Sequence, residues 1–207
     1  LGIAWWIYQL DRFQREPWRP LLVCFLLGIL ITFPALKLEE WASDLGWDQS
    51  SHLGFMLLTA FVVVGLNEEL FKFLALYVYA FQQKAFDDPL DGIVYAIMVG
   101  MGFATLENVL YAFRFGLPTT LVRALTAVPA HAVFAVFMGY YAGRAKLETG
   151  SKWPLLAKGI GVSVGLHGLY DFFILQELYE PLMLMGLVSL IVSGYFAFQI
   201  IKKQQAL

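Results

Sequence analysis

The sequence predicts an all-α membrane protein, a polytopic transmembrane bundle of about seven helices with a buried polar site. Of its 207 residues, 59% are hydrophobic and only 14% are charged, whereas soluble domains are roughly 25% charged. The apolar runs are about 20 residues long, which is the length of a spanning helix, and they do not alternate as barrel strands do. Polar residues interrupt four successive runs near their middles. These runs are therefore expected to surround one site.

The first two helices are bounded by polar residues and prolines. Leu1–Leu10 is apolar but too short to span, so it is interpreted as the end of a truncated first helix or as an interfacial segment. The second helix is predicted over Leu21–Leu36, closed near Pro34. Lys37–Ser51 contains four acidic residues and two tryptophans, and it is predicted to be a loop at the membrane interface.

Five further helices follow, within a single domain that covers the whole chain. Their predicted bounds are Leu53–Phe81, Leu90–Phe113, Thr119–Gly143, Pro154–Leu175 and Pro181–Ile201. Prolines lie at or near most of these starts, where a missing N–H costs little. Pro129 instead lies inside a helix and should bend it. The helices that carry the site are expected to occupy residues 53–175.

Charged residues outside the helices give an orientation and exclude some partners. Only Lys37, Arg114 and Arg123 are basic on one side of the bundle. The other side holds Arg12, Arg15, Arg19, Lys84, Arg144, Lys146, Lys152, Lys202 and Lys203. The positive-inside rule places this second side in the cytoplasm, so Lys37–Ser51 faces outward. Because no basic cluster is present, the expected partners are the lipid bilayer and membrane proteins, and no nucleic acid.

The run from His52 to Phe81 carries Glu68, Glu69 and Lys72 near its middle. On insertion scales each such charge costs about 2.5–3.5 kcal/mol at a helix centre, so the three groups must face the bundle interior. Lys72 lies four residues after Glu68 and three after Glu69, which allows one local ion pair and leaves a carboxylate over. A structural ion pair is the simpler interpretation. A functional site is favoured because three more runs carry buried polar groups.

Those three runs each place an acid or a histidine at a similar depth. They hold Glu107 with Asn108 and Tyr111, His131 with Arg123, and His167 with Asp171. Counted at about 1.5 Å per residue from the cytoplasmic ends, Glu68, Glu107 and the two histidines fall within roughly 6 Å of one depth. Glycine pairs, Gly139 with Gly143 and Gly161 with Gly165, are expected to let neighbouring helices approach closely.

Two histidines and a carboxylate at one depth form the ligand set of a catalytic zinc site. We expect Glu107, His131 and His167 to bind zinc and Glu68 to activate water as a general base, with Glu69 and Lys72 setting its charge. Asp171 would orient a histidine or ligate directly. Three alternatives stay open: histidines that are hydrogen-bonded core residues, a proton-coupled transporter that uses a carboxylate–histidine relay, and a non-catalytic membrane scaffold.

At these residues the sequence resembles the PrsW family of intramembrane proteases, within the superfamily of CAAX proteases and bacteriocin-processing proteins. The resemblance rests on ordered motifs that cover nearly the whole chain. They are Asp11-Arg12-x3-Glu16-Pro17, Glu68-Glu69-x2-Lys72, Asp91-Gly92-Ile93-Val94-Tyr95, Gly102-Phe103-Ala104-x2-Glu107-Asn108-x2-Tyr111, Arg123 followed by His131 and Gly139, and His167-x3-Asp171.

The resemblance implies peptide-bond hydrolysis in or near a bacterial plasma membrane. The family's role is site-1 cleavage of a membrane-anchored anti-sigma factor, which begins an envelope-stress response. In the CAAX relatives, Phe-x3-His stands where this chain has Phe103-x3-Glu107, and the first glutamate of the pair is thought to activate water without a metal. The resemblance therefore leaves both a zinc mechanism and a glutamate-only mechanism open. Without a metal, His167 and Asp171 would polarise the scissile carbonyl.

Overall fold

The computed structural model describes Gly2 and residues 16–47, 52–176 and 178–205, and these residues are almost entirely helical. We number the helices α1 (Trp18–Asp44), α2 (Leu53–Gln82), α3 (Pro89–Leu125), α4 (Ala127–Lys146), α5 (Trp153–Leu175) and α6 (Met183–Gln204). A short 3₁₀ turn, Glu180–Leu182, precedes α6. No strand occurs within the described ranges. The predicted all-α class is confirmed.

Four helical segments are long and apolar enough to cross a membrane: Trp18–Asp44, Leu53–Gln82, Pro89–Lys146 and Glu180–Gln204. With α5, the described part of the chain contains five helical segments. The prediction of about seven helices is therefore not confirmed. The predicted remnant of a first helix, Leu1–Leu10, falls outside the described residues except for Gly2.

The 58-residue run Pro89–Lys146 folds back on itself. At about 1.5 Å per residue it would be about 87 Å long, nearly three times the hydrocarbon thickness of a bilayer. The backbone leaves helical geometry at Gly116 (φ 82°) and again at Thr126 (φ −122°). Gly92, near the start of α3, packs against Gly139 and Gly143 near the end of α4. The part of α3 before Gly116, which keeps the label α3 below, is therefore antiparallel to α4. Residues 117–125 join the two, and we call them the connecting helix.

The break at Thr126 corrects the predicted fifth helix, which was expected to run from Thr119 to Gly143 with a bend at Pro129. Instead Pro129 is the third residue of α4, where a missing N–H is not needed. Its ring would clash with the carbonyl oxygen of Leu125, four residues earlier. Leu125 is where the preceding helix ends, so the proline separates two helices rather than bending one.

α1 also departs from its predicted bounds. It runs through Pro34 to Asp44, so most of the predicted loop Lys37–Ser51 is helical. Membrane helices tolerate proline because neighbouring groups satisfy the freed backbone, and the residues that follow Pro34 are mostly good helix formers. The side-chain amide of Asn67 on α2 donates to the Ala35 carbonyl at 2.9 Å and to Glu39 at 3.2 Å, which ties this extension to the bundle.

α2 contains a π-helical stretch, Thr59–Leu66, before the α-helical segment Asn67–Val78 that carries the acidic pair. This feature was not predicted, since its residues are almost all apolar and carry no local signal. Gly65 and Gly168 meet here: a Cβ on Gly65 would lie 3.2 Å from the Gly168 nitrogen. π-helical turns often mark functional sites, and this one brings α5 directly against the helix of Glu68.

Neighbouring helices approach closely at Gly139 and Gly143, as expected, but not at Gly161 and Gly165. A Cβ on Gly139 would lie 2.3 Å from the Gly92 carbonyl oxygen, so the predicted close approach at Gly139 and Gly143 is confirmed. At Gly161 and Gly165 a Cβ would meet nothing within 4 Å. The expectation is wrong there, because the face of α5 that packs closely presents Gly168 instead.

This contrast predicts the stability of two alanine variants. Gly139→Ala should lower the free energy of unfolding by about 1–3 kcal/mol, because its Cβ overlaps the backbone of α3. Gly161→Ala should be neutral or stabilising by up to about 1 kcal/mol, because alanine is the better helix former. Denaturant unfolding of both purified variants in detergent measures the difference. Equal stabilities would contradict the observed packing of α3 on α4.

Candidate active site

Four side chains from three helices converge in the middle of the bundle. Glu68 and Glu69 of α2, His131 of α4 and His167 of α5 each offer a ligand atom, and these atoms lie within 4.8 Å of one another. All four residues are buried, with at most 4% of their surface exposed. The sequence placed Glu68, His131 and His167 at one depth, and the structure places them in one cluster with Glu69.

Lys72 is the cation at the centre of this cluster. Its Nζ donates to Glu68 Oε2 at 2.9 Å and to Glu69 Oε1 at 2.8 Å, and it lies 2.9 Å from His131 Nδ1. An ammonium group has three donors and no acceptor, so Nδ1 of His131 accepts the third hydrogen bond. The expectation that one carboxylate would lack a local cation is therefore wrong, because Lys72 serves both.

His131 connects this cation to Glu107 on α3. Since its Nδ1 accepts from Lys72, the proton of a neutral ring sits on Nε2, which donates to Glu107 Oε2 at 3.0 Å. The other oxygen, Oε1, pairs with the Arg123 guanidinium at 2.7 Å. That guanidinium lies 3.7 Å from the centre of the Tyr111 ring. A continuous series of hydrogen bonds and ion pairs thus runs from α2 to the connecting helix.

His167 lies between two carboxylates. Its Nδ1 is 2.9 Å from Glu69 Oε1 and its Nε2 is 3.1 Å from Asp171 Oδ2. The Phe134 ring stacks on the imidazole with centroids 5.0 Å apart. Glu69 therefore contacts both Lys72 and His167, whereas Glu68 Oε2 lies 3.9 Å from a nitrogen of each histidine.

Asn108 lies outside the converging groups. Its amide is 3.4 Å from the Thr120 carbonyl, so it links α3 to the connecting helix. Its position, like that of Tyr111 under Arg123, agrees with the supporting role that the sequence suggested, and that role stays a prediction.

The donor set suits a divalent metal in kind and in charge. Two imidazoles and two carboxylates are common zinc ligands. The contacting groups include four carboxylates, Glu68, Glu69, Glu107 and Asp171, against two fixed cations, Lys72 and Arg123. Because His167 contacts a carboxylate at each ring nitrogen, one further proton must be shared among these groups, so one negative charge is left in excess, which favours a cation. Because Lys72 contacts three of the four donors, its ammonium would have to withdraw for a metal to bind among them.

The structure groups Glu69, rather than Glu107, with the two histidines as converging donors, and which carboxylate binds a metal stays a prediction. Glu69 lies among the four converging donors, whereas Glu107 lies on the far side of His131. Adjacent glutamates point in directions about 100° apart on a helix. Their spacing alone therefore could not show that both would reach the histidines.

A cavity of about 720 Å³ opens beside the cluster. Its inner wall is formed by Glu68, Glu107, His131, His167 and Asp171. Glu39, near the outer end of α1, also lines it. Glu39 was not predicted to reach the site, because its position after Pro34 indicated a loop.

Membrane helices that enclose buried carboxylates, two histidines and a cavity of about 720 Å³ have the composition of a hydrolytic site inside a membrane, as in an intramembrane protease. The comparisons with known proteins support this class. Residues 16–198 match the family described as PrsW family intramembrane metalloprotease, and the chain belongs to that family.

The curated relatives carry the same family name. Protease PrsW of Geobacillus kaustophilus is 36% identical over 172 residues, which are 83% of this chain and 74% of the relative. Protease PrsW of Halalkalibacterium halodurans is 38% identical over 73% of this chain and 68% of the relative. Protease PrsW of Bacillus subtilis is 34% identical over 84% and 78%. No solved structure matches the chain. The chain is a bacterial multi-pass membrane protein, as the resemblance implied.

The buried pair of Glu107 and Arg123 should be energetically coupled. In a double-mutant cycle with Glu107→Gln and Arg123→Gln, we expect a coupling of about 1–3 kcal/mol in the free energy of unfolding. Each single change leaves a poorly compensated buried charge. The control is the exposed pair of Lys37 and Glu40, where water screens the charges and no measurable coupling is expected. Similar couplings in both cycles would refute the pairing.

Proposed function

We propose that the protein hydrolyses a peptide bond of a membrane-anchored protein, with a water molecule activated by Glu68. One observation carries this assignment: of the two adjacent glutamates, Glu68 lines the cavity while it stays within 3.9 Å of both histidines. A carboxylate in that position can accept a proton from a water molecule in the cavity. It can then return the proton to the leaving amine.

The surrounding residues hold Glu68 in place and set the local charge. Lys72 fixes one oxygen of Glu68, so that the second oxygen is available to a water molecule. Glu69 and Asp171 hold the His167 ring from its two nitrogens. The Arg123 side chain compensates Glu107 at the cavity wall. These contacts preorganise the site, which is the main contribution that a protein makes to such a reaction.

In the first form of this mechanism, Glu69, His131 and His167 would hold a divalent metal, zinc by the nature of the donors. Three protein ligands with an open position are typical of catalytic zinc. When bound, such an ion supplies a Lewis acid that activates water and polarises the scissile carbonyl. Glu68 is then free to act as the base, and Lys72 withdraws from the donors that it contacts in this structure.

In the second form, Lys72 itself is the cation of the site and no metal takes part. Its three hydrogen bonds to Glu68, Glu69 and His131 favour this form. His167 and Asp171 would then polarise the scissile carbonyl, once the Nε2–H group of His167 leaves Asp171 Oδ2 for the developing oxyanion. Glu68 activates water in both forms, so the two differ only in the positive charge beside it.

The position of the cavity supports a site in the outer half of the membrane. Its lining includes the connecting helix, the end of α5 and the start of α6, whereas most basic residues lie at the opposite end of the bundle. With that basic end in the cytoplasm, cleavage takes place toward the extracytoplasmic side. This location fits the proposed substrate class, a membrane-anchored anti-sigma factor in the bacterial plasma membrane.

Glu68→Gln should abolish cleavage of a single-span reporter, because the amide cannot accept the proton of water. The change is nearly isosteric, so circular dichroism and the elution volume in detergent should stay those of the wild type. Glu148→Gln, at an exposed glutamate on the cytoplasmic side, is the matched control and should cut at the normal rate. Undiminished cleavage by the Glu68 variant would remove this residue from the mechanism.

Metal content separates the two forms. Elemental mass spectrometry of the purified protein should find about one zinc per chain, because the donor set and the excess negative charge suit a divalent ion. The His131→Ala variant should lose the zinc. The Glu148→Gln variant, which changes none of the donor residues, should retain it. A metal-free protein that still cuts the reporter would instead establish the form in which Lys72 is the cation.

A further inference from the structure

Glu39 is a carboxylate of the cavity that neither form of the mechanism uses. It lies near the outer end of α1 and lines the cavity together with Glu68. Its Oε1 accepts a hydrogen bond at 3.2 Å from the side-chain amide of Asn67, the residue directly before Glu68. The same amide donates to the Ala35 carbonyl at 2.9 Å. The carboxylate of Glu39 is therefore held against the helix that carries the proposed base.

The neighbouring residue, Glu40, differs from Glu39 in both exposure and partner. Its side chain is 61% exposed and pairs with Lys37 at the surface. Adjacent residues point about 100° apart on a helix, so Glu39 turns inward where Glu40 turns outward. Lys37 does not serve both, because residues two positions apart on a helix do not face each other. Within the described ranges Glu39 forms no ion pair, and its hydrogen bond is to a neutral amide.

The other charges of the cavity do not compensate Glu39. Among the described residues, the cavity lining carries four acids and one arginine: Glu39, Glu68, Glu107, Asp171 and Arg123. The arginine already pairs with Glu107 at 2.7 Å. Glu68 has Lys72 as its partner, and Asp171 contacts a histidine. Glu39 is thus the acid of this lining that can accept a further cation, and an uncompensated carboxylate inside a membrane is costly.

We propose that Glu39 determines specificity by binding a lysine or arginine side chain of the substrate, on the outer side of the scissile bond. This inference rests on the proposed proteolytic function and adds a preference for one class of substrate sequence. One oxygen of Glu39 accepts from Asn67, which leaves the other for a charge-assisted hydrogen bond. The apolar stem of the basic side chain can lie along the apolar part of the cavity wall.

A basic side chain fits this position better than a metal ion does. Calcium and magnesium take about six or more oxygen ligands, whereas Glu39 has a donor group beside it, the NH₂ of Asn67. An ammonium or guanidinium group instead needs an acceptor of opposite charge. An acidic side chain at the same position of the substrate would meet a like charge, so Glu39 should also discriminate against it.

The test compares single-span reporters that differ in one residue, lysine, glutamine or glutamate, placed in turn at each position on the outer side of the cleavage site. Mass spectrometry of the products locates that site. At one of these positions the wild-type protein should cut the lysine reporter with a kcat/KM about tenfold higher than that of the glutamate reporter. Glu39→Gln keeps an acceptor for Asn67 and should bring this ratio to about one. Glu39→Lys should reverse the preference.

Glu40→Gln removes one charge from the same end of α1. It is the matched control and should keep the wild-type ratio. A purely structural role of Glu39 would slow the cleavage of all three reporters alike and leave the ratio unchanged in Glu39→Gln. That result, or a wild-type protein without a preference at any position, would overturn the inference.

Binding provides a readout that does not depend on activity. In the Glu68→Gln protein, fluorescence anisotropy of labelled reporters should show tighter binding of the lysine reporter than of the glutamate reporter. Adding Glu39→Gln should remove this difference. If the wild-type protein cuts none of the reporters while the difference in binding persists, the proposed function fails and the preference set by Glu39 stands. Equal binding of both reporters would overturn the preference, whatever the activity.

Discussion

The three hydrogen bonds of Lys72 are the interaction on which the rest of the bundle depends. An uncompensated charge in the interior of a membrane protein is costly, and here two carboxylates and an ammonium lie on a single helix. They are tolerated because Lys72 bridges Glu68 and Glu69 and then reaches His131 on another helix. The ion pair is therefore also a contact between helices, and the positions of α2 and α4 are fixed by it.

From this contact the polar network extends to every helix that carries a motif. His131 makes its second hydrogen bond to Glu107 on α3, and Glu69 also contacts His167 on α5. Such a network requires helices that approach closely, since its hydrogen bonds are about 3 Å long. Glycine supplies that approach between α3 and α4 at Gly92 and Gly139, and between α2 and α5 at Gly65 and Gly168. The glycines thus allow the close helix packing that the hydrogen bonds between the charged residues require.

The sequence predicted the members of this network better than its connections. Charged groups inside apolar runs have few alternatives to a common interior, so Glu68, Glu107, His131 and His167 could be brought together by depth alone. Depth carries no information about the direction of a side chain, so it could not separate Glu69, among the converging donors, from Glu107, on the other side of His131. The π-helical stretch before Asn67 has no local signal in an apolar sequence. The helical extension of α1 beyond Pro34 was missed because a proline stops a helix less reliably inside a membrane than in water.

The atoms that bind Lys72 stabilise the bundle and also belong to the proposed reaction site. The lone pair of His131 and the oxygens of the two glutamates that hold Lys72 are the same atoms that would hold a metal or orient a water molecule. A metal ion that binds these atoms must interact with them at least as favourably as the ammonium group does. A water molecule can instead be activated from the cavity side without displacing the ammonium group. Glu68 can do the latter, since it contacts Lys72 and the cavity at once. Its position at the boundary between the compensated interior and the open cavity therefore supports the proposal that Glu68 is the reactive member of the pair and Glu69 the structural one.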